Sequence, residues 1–399
     1  MKRIALAAGC VVLWVFAAAH AAEQASPQTV QELNLEKQRA LVADAFKGVT
    51  RDGRIISGLA TIKHTGISTA PVRRAAEAFL NGLTAEQRTK TTFPIDDPEW
   101  RLWDNRPDPP SAPRQGVGLG EMSDAQRALA FGLLRASLSA KGFRQTEDIM
   151  KLNETLAEIT SDRVRFGRWK YWITMMGTPS DTEPWGWQLD GHHCIINYFV
   201  LGDQVVMTPT FMAAEPVRAV AGPFAGTVVL QAEQDKGAAL FNALSAAQQA
   251  QARITGEKTG NNTIAAAYQD NLVLDYTGIR ATDLGPSQRE ALLGLIAEHL
   301  DNLPEARERL KMDEVRAHLS ETFFGWIGSA APDGVFYYRV QSPVVLIEFD
   351  HQSPARGVPG PSGPYRNHIH TVVRTPNGND YGKDLLRLHY LQVKHQSGS

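Results

Sequence analysis

The chain has 399 residues, with 41 lysines and arginines against 43 aspartates and glutamates and a formal net charge of −2. Hydrophobic residues make up 43%, a composition for a globular protein with an ample core and a length for about two to three domains. The balanced, unclustered charge excludes a basic nucleic-acid stripe, and no apolar run after the N-terminal leader reaches membrane-spanning length.

Residues 1–21 read as a secretory signal peptide. Lys2 and Arg3 supply the positive start, Ile4 to Ala19 the apolar stretch, and Ala19-His20-Ala21 the small-x-small cleavage site. The expected location is the periplasm or the cell exterior, with no membrane attachment after cleavage. Removal of the leader takes Cys10 with it, so Cys194 has no partner for an internal disulfide. A lone cysteine of this kind reads as a small buried packing residue.

Two blocks of the remaining chain resemble each other. "AAEAFLNGLTAEQR" (Ala75 to Arg88) matches "KGAALFNALSAAQQ" (Lys236 to Gln249), with Asn81 on Asn242 and Gln87 on Gln248. "GVGLGEMSDAQRALAFGLLRASL" (Gly116 to Leu138) matches "GIRATDLGPSQREALLGLIAEHL" (Gly278 to Leu300) at nearly the same offset. Capping-box patterns at Thr84–Gln87, Ser123–Gln126, Ser245–Gln248 and Ser287–Glu290 mark helix starts and would look alike in any protein. The shared offset nevertheless points to an internal duplication with halves 22–215 and 216–399.

Each half runs from helices to strands. Leu129, Leu133 and Leu134 recur with helical period, as do Leu292, Leu295, Ile296 and His299. "WKYWITMMG", "WGWQLD", "CIINYFVLG" and "QVVMTPTF" read as strands of the first half. "ETFFGWIG", "GVFYYRV", "PVVLIEFD" and "NHIHTVV" read as strands of the second. Helix blocks followed by strand blocks with short connections predict an α+β fold with antiparallel sheets, both halves packed as one globular unit. Three stretches are irregular: Phe93 to Gly116, Thr255 to Thr263, and the Pro- and Gly-rich His351 to Asn367, which reads as a lid.

Histidines carry the chemical signal. In "NHIHTVV", His368 and His370 are two apart in a strand, so they share a face and can converge on one ion. In "GWQLDGHHCIINYF", His192 and His193 follow an expected Asp190-Gly191 turn. Neighbours in a strand point to opposite faces, so one of the two is expected at a site and the other at a supporting role. His351 ends a strand, and Asp190, Glu348 and Asp350 lie near as carboxylate ligands or acceptors for imidazole N–H groups.

The candidate set is therefore His193, His368, His370 and His351 as metal ligands, with Asp190 and His192 as acid/base groups. Trp187, Arg339 and Arg374 are candidates for holding an organic substrate, the arginines through a carboxylate. Zinc is the first choice of ion and copper the second, since nitrogen-rich ligation suits both. The sequence holds no Gly-x-Ser-x-Gly elbow, His-Glu-x-x-His helix or phosphate-binding loop.

At "PWGWQLDGHH", "PTFMAAEP", "YYRVQSPVVLIEFDHQ" and "HIHTVVRTPNGNDYG" the chain resembles the domain of unknown function 3500 family over most of its length. The resemblance implies membership without an activity, and points again to His192, His193, His351, His368 and His370. Cys194 stands where the family pattern implies a larger apolar residue. The expected function is transition-metal binding, leading to metal-dependent hydrolysis of a small-molecule or peptide substrate. The alternatives are a non-catalytic metal- or ligand-binding protein and a copper-dependent oxidoreductase. No nucleic-acid partner is expected.

Overall fold

Aromatic and β-branched runs form most of the strands. The computed structural model describes residues 40, 42–107 and 114–392; the expected leader, with Cys10 and His20, lies outside them. The strands in chain order are β1 (Thr92–Phe93), β2 (Val117–Gly118), β3 (Tyr171–Met176), β4 (Trp185–Gly191), β5 (Cys194–Leu201) and β6 (Gln204–Val206). They continue as β7 (Thr210–Ala214), β8 (Ile279–Arg280), β9 (Phe323–Gly328), β10 (Phe336–Gln341), β11 (Leu346–His351) and β12 (Ile369–Arg374). The run expected as one strand from Gln204 to Phe211 is split into β6 and β7 around Pro209, which has no N–H to give to a ladder.

All twelve strands join one sheet in the order β1-β3-β4-β5-β7-β12-β11-β10-β9-β8, with β2 on β3 and β6 on β5. Pairing is antiparallel except for the short β1–β3 contact. The fold is α+β, with nine α-helices among the described residues. β7 and β12 form the central seam, with Thr210 opposite Val373 and Ala213 opposite His370. Moving outward from this seam, β5, β4 and β3 on one side correspond in order to β11, β10 and β9 on the other.

The matched helix starts make matched contacts. Gln126 Nε2 donates to Gly82 O (3.0 Å) and Gln87 Oε1 (2.7 Å), and Gln288 Nε2 donates to Ala243 O (2.8 Å) and Gln248 Oε1 (2.9 Å). The cap before Pro286 is Gly285, whose N–H reaches Gln288 Oε1, and not the expected Ser287–Glu290 box. The proline takes the first helical position and moves the start forward. Gly116 and Gly278 both have positive φ, at 85° and 101°. A Cβ there would stand 2.1 Å from Ile173 O and 2.2 Å from Phe324 O, respectively.

Helices cover one sheet face, including Ala140–Thr160 and Pro286–Leu300, through a core containing Leu133, Ile149, Leu295 and Trp326. The opposite face is covered by chain with little regular structure. It carries Val49, Trp100, Trp103 and Ala265, joined by Tyr381, against Ile195, Phe199, Phe211 and Val372. Coverage of both faces explains why all eight residues of β5 are buried. No helix of the described residues is long and apolar enough to cross a membrane.

Candidate metal centre

β4 and β5 form a hairpin in which Gly191 pairs with Cys194, leaving His192 and His193 as the two turn residues. The expected Asp190-Gly191 turn is thus corrected, since both residues belong to β4. His193 has φ 66°, a left-handed conformation that costs a non-glycine residue about 1–2 kcal/mol. The two imidazoles therefore do not diverge across a strand: their rings stack with centroids 3.7 Å apart.

The turn delivers His193 to the start of β12. His193 Nε2 lies 3.3 Å from both His368 Nε2 and His370 Nε2, and the latter two are 2.9 Å apart. Three nitrogens held at a zinc-like bond length around a tetrahedral centre would be about 3.3 Å apart. Among the described residues, these three histidines form the group close enough to hold an ion. Phe211 packs its ring 5.0 Å from that of His370 and shields one side.

Neighbouring groups set the state of the rings. His368 Nδ1 donates to Ser353 O at 2.8 Å, which leaves a lone pair on Nε2. Burial moves the His368 pKa down to about 4, and burial with mutual proximity pushes His193 and His370 well below the ordinary range. All three are neutral near pH 7, the form that binds metals. With His368 Nε2 proton-free, His193 and His370 must both turn ring protons toward its one lone pair or leave lone pairs facing each other, whereas one cation satisfies all three nitrogens.

His192 is turned into the helix layer. Its Nδ1 lies 2.7 Å from Asn153 Oδ1, while Asn153 Nδ2 donates to Gly167 O. That orientation of the amide makes His192 Nδ1 the donor and leaves a lone pair on its Nε2. Tyr171 Oη donates to the His192 carbonyl, and Phe166 packs on its ring. Glu215 adds a buried carboxylate 3.5 Å from His368 Nδ1. It accepts from Tyr365 Oη at 2.6 Å and from the Ala355 amide, fastening the irregular 353–366 segment beside the histidines.

Several expected site residues are placed elsewhere. His351 is corrected out of the ligand set: its Nδ1 accepts from Phe336 N–H, and its Nε2 donates to Gln234 Oε1, both at 3.0 Å. It follows Asp350, the cross-strand partner of His370, and so faces the opposite side of the sheet. Asp190 lies outside the histidine group. It faces Arg114 Nε at 3.3 Å, and burial raises its pKa to about 6 against the pull of that guanidinium.

Trp187 is fully buried and stacks on Tyr198 within the helix-side core, so it forms no substrate platform. Arg339 is 4% exposed and hydrogen-bonds Thr277 Oγ1. Arg374 is fully buried between Asp270 (2.9 Å) and Asp380 (3.2 Å). The guanidinium of Arg374 is fully engaged, whereas Arg339 is enclosed with its Nε lacking a hydrogen-bond partner. Asp350 binds Lys258 and the amides of Asn262 and Thr263, while Glu348 binds the amides of Ile264 and Ala265. These carboxylates hold covering chain and not an ion.

The structure also adds residues that sequence reasoning passed over. Asn153 lies within the helix Ala140–Thr160, and nothing in a helical sequence shows which neighbour an asparagine will orient. Glu215 was visible in "PTFMAAEP" as a carboxylate directly after a strand, without a partner to give it a role.

Fold and site together define a mixed α+β protein with a three-histidine cluster on its central seam. The chain belongs to the family described as Protein of unknown function (DUF3500), whose profile matches residues 65–383. No curated protein and no solved structure matches it.

Proposed function

We propose that this chain is an exported metal protein that binds one transition ion, zinc before copper, through His193, His368 and His370. The convergence of three Nε2 atoms at 2.9–3.3 Å carries the reading. No fourth ligand joins the group among the described residues, which supports an open coordination position and hydrolytic use. A bound ion of this kind lowers the pKa of water or polarises a carbonyl. Asn153 holds His192 with a lone pair on Nε2, which makes His192 the candidate base, although burial pushes its pKa well down. Asp190, engaged with Arg114, acts as a positioning group for the 104–106 segment. The substrate is a small molecule or peptide. We also propose that the halves 22–215 and 216–399 descend from one duplication, supported by their matched glutamine contacts and strand order.

Elemental analysis tests the centre. Full-length protein loaded with zinc is expected to retain one ion per chain, and His368→Ala/His370→Ala to lose it. Retention of the ion by that folded double variant would refute the assignment. Hydrolysis of ester and peptide panels by the loaded protein then tests the reaction. Burial of His193 and His368, at 4% and 5% exposure, favours a second reading of sequestration without catalysis. A cobalt-loaded protein whose spectrum ignores added azide would support that reading. Export is tested by the N-terminus of periplasmic material, expected after Ala21.

A further inference from the structure

The opposite end of the seam holds a cavity of about 170 Å³. It lies at the Thr210–Val373 pair, three positions along β7 from the Ala213–His370 pair, or about 10 Å along the strand. Leu300, Leu303, Leu310, Val344, Val373 and Leu385 supply apolar wall. A strap of chain including Ala60 and Lys63 closes one side. It is stitched down by Gln204, whose Oε1 accepts from Lys63 N (2.8 Å) and whose Nε2 donates to Thr61 O (3.0 Å).

The wall also carries polar and charged residues, among them Glu314 and Asp384, which are paired with Lys311 and Arg387, and one buried charge that has no such partner. Arg307 is 7% exposed, yet its guanidinium reaches only backbone carbonyls: Asp203 O at 3.0 Å, Ile67 O at 3.1 Å and Ser68 O at 3.2 Å. No carboxylate of the described residues pairs with it. A buried charge without a counter-charge is costly. Behind the wall, outside the cavity lining, the hydroxyl of Tyr198 is buried without a hydrogen-bond partner; burial raises this phenol to about 12 while the Arg307 charge opposes the rise. Other buried polar groups of the wall are satisfied within the protein. Thr208 and Thr375 bond each other at 2.8 Å, and Thr210 donates to Met207 O. Asn377 accepts from Ile56 N and donates to Pro343 O. Lys311, a second cation of the wall, is already paired with Glu314.

We infer that this cavity binds a small monocarboxylate, with its apolar body among the leucines and valines and its charge facing Arg307. A cavity of about 150 Å³ accommodates benzene, so the body is about six to eight carbons. The carboxylate would supply the missing counter-charge through charge-assisted hydrogen bonds. Lys63, on the strap, adds positive charge at the rim. The site is separate from the histidines and requires no metal.

Calorimetric titration of full-length protein with hexanoate, benzoate and hexanamide tests the inference. A carboxylate is expected to bind at least about tenfold more tightly than hexanamide. Arg307→Met should bring hexanoate and hexanamide within about twofold of each other. Leu310→Trp, which fills the cavity and keeps the guanidinium, should abolish carboxylate binding without altering zinc content. Equal binding of hexanoate and hexanamide to the unaltered protein would overturn the proposal, as would no binding of either acid at millimolar concentration. Unchanged hexanoate binding by Leu310→Trp would also overturn it. If Arg307→Met does not fold, the acid–amide comparison and Leu310→Trp decide.

Discussion

Arg374→Met is expected to destabilise the protein by about 4 kcal/mol and leave its metal content unchanged. The guanidinium is fully buried, and Nη1 contacts both Asp270 and Asp380. Nε and Nη2 also donate to Ala265 O and Ala266 O, at 2.7 and 2.8 Å. Methionine approximates the stem but leaves these acceptors without that donor. Asp270 keeps Arg101 at 2.8 Å, whereas Asp380 loses its cation and keeps the Thr375 amide at 2.7 Å. Breaking a buried ion pair from one side costs about 3–5 kcal/mol, and relaxation toward water limits the added cost of the two carbonyls. Burial already raises Asp380 to about 6 despite Arg374. Without the cation its folded-state pKa rises further above the unfolded value, so stability falls as pH increases from the unfolded value through the folded one. The deficit should be larger at pH 8 than at pH 5. Guanidinium denaturation at both pH values, followed by tryptophan fluorescence, measures it alongside zinc content. A loss below about 1 kcal/mol, or loss of zinc at full stability, would show that Arg374 serves a ligand and not the fold.

His351→Leu should retain one zinc per chain while losing about 2–4 kcal/mol in a denaturant titration, because Phe336 N–H and the Gln234 carbonyl lose their partner. Glu99→Gln should leave stability near pH 5 little changed and raise it at pH 9, measured by thermal and denaturant unfolding. Burial and the neighbouring Asp190 push Glu99 from 4.5 up to about 8, so ionisation of the native residue removes up to about 5 kcal/mol as pH rises through that window. Gly116→Ala and Gly278→Ala should each destabilise by more than 1 kcal/mol in the same denaturation assay, since both combine positive φ with backbone contact near 2 Å. Saturating zinc should stabilise the unaltered protein by about 2.7 kcal/mol at a hundredfold excess over its dissociation constant, with no such gain in His368→Ala/His370→Ala.

His368 and His370 were legible as a pair because strand periodicity forces side chains two residues apart onto one face. The same periodicity, applied one residue too far, misread His192 and His193: it holds only within a strand, and the hairpin places both in the turn. The residue that rescues the geometry is His193, whose positive φ leaves no mark in the sequence. Trp187 and Arg374 looked like cleft residues because aromatics and arginines near strand ends often are. Trp187 is buried beneath the helices, and the burial of Arg374 depends on segments such as 265–274 that have no apolar periodicity and give no warning that they cover a sheet. Arg307 was invisible for a related reason. Its position in an otherwise charged helix reads as solvated surface, and only the strap brought by Ile67 and Ser68 encloses it.

The two ends of the seam illuminate each other. On one side, the turn joining β4 to β5 carries His192 and His193 to the beginning of β12. On the other, the topologically corresponding turn between β10 and β11 carries Pro343 and Val344 to the beginning of β7, where they line the cavity. Strand order and pairing are alike, so each end of the seam receives the turn of the neighbouring hairpin, of two residues at one end and four at the other. Side chains then determine what each end takes up: imidazoles with opposed lone pairs at one end call for a cation, while an uncompensated guanidinium among aliphatic groups at the other calls for an anion with an apolar body. A carboxylate bound at the second end would touch β12 near Val373, the strand that also presents His370. Because β12 is hydrogen-bonded on both sides within the sheet, it can connect the two ends mechanically, but energetic coupling requires one occupant to shift it differently from the other. Measuring zinc affinity with and without saturating hexanoate separates shared architecture from coupling: unchanged affinity means two independent sites, and any change must appear reciprocally in hexanoate affinity.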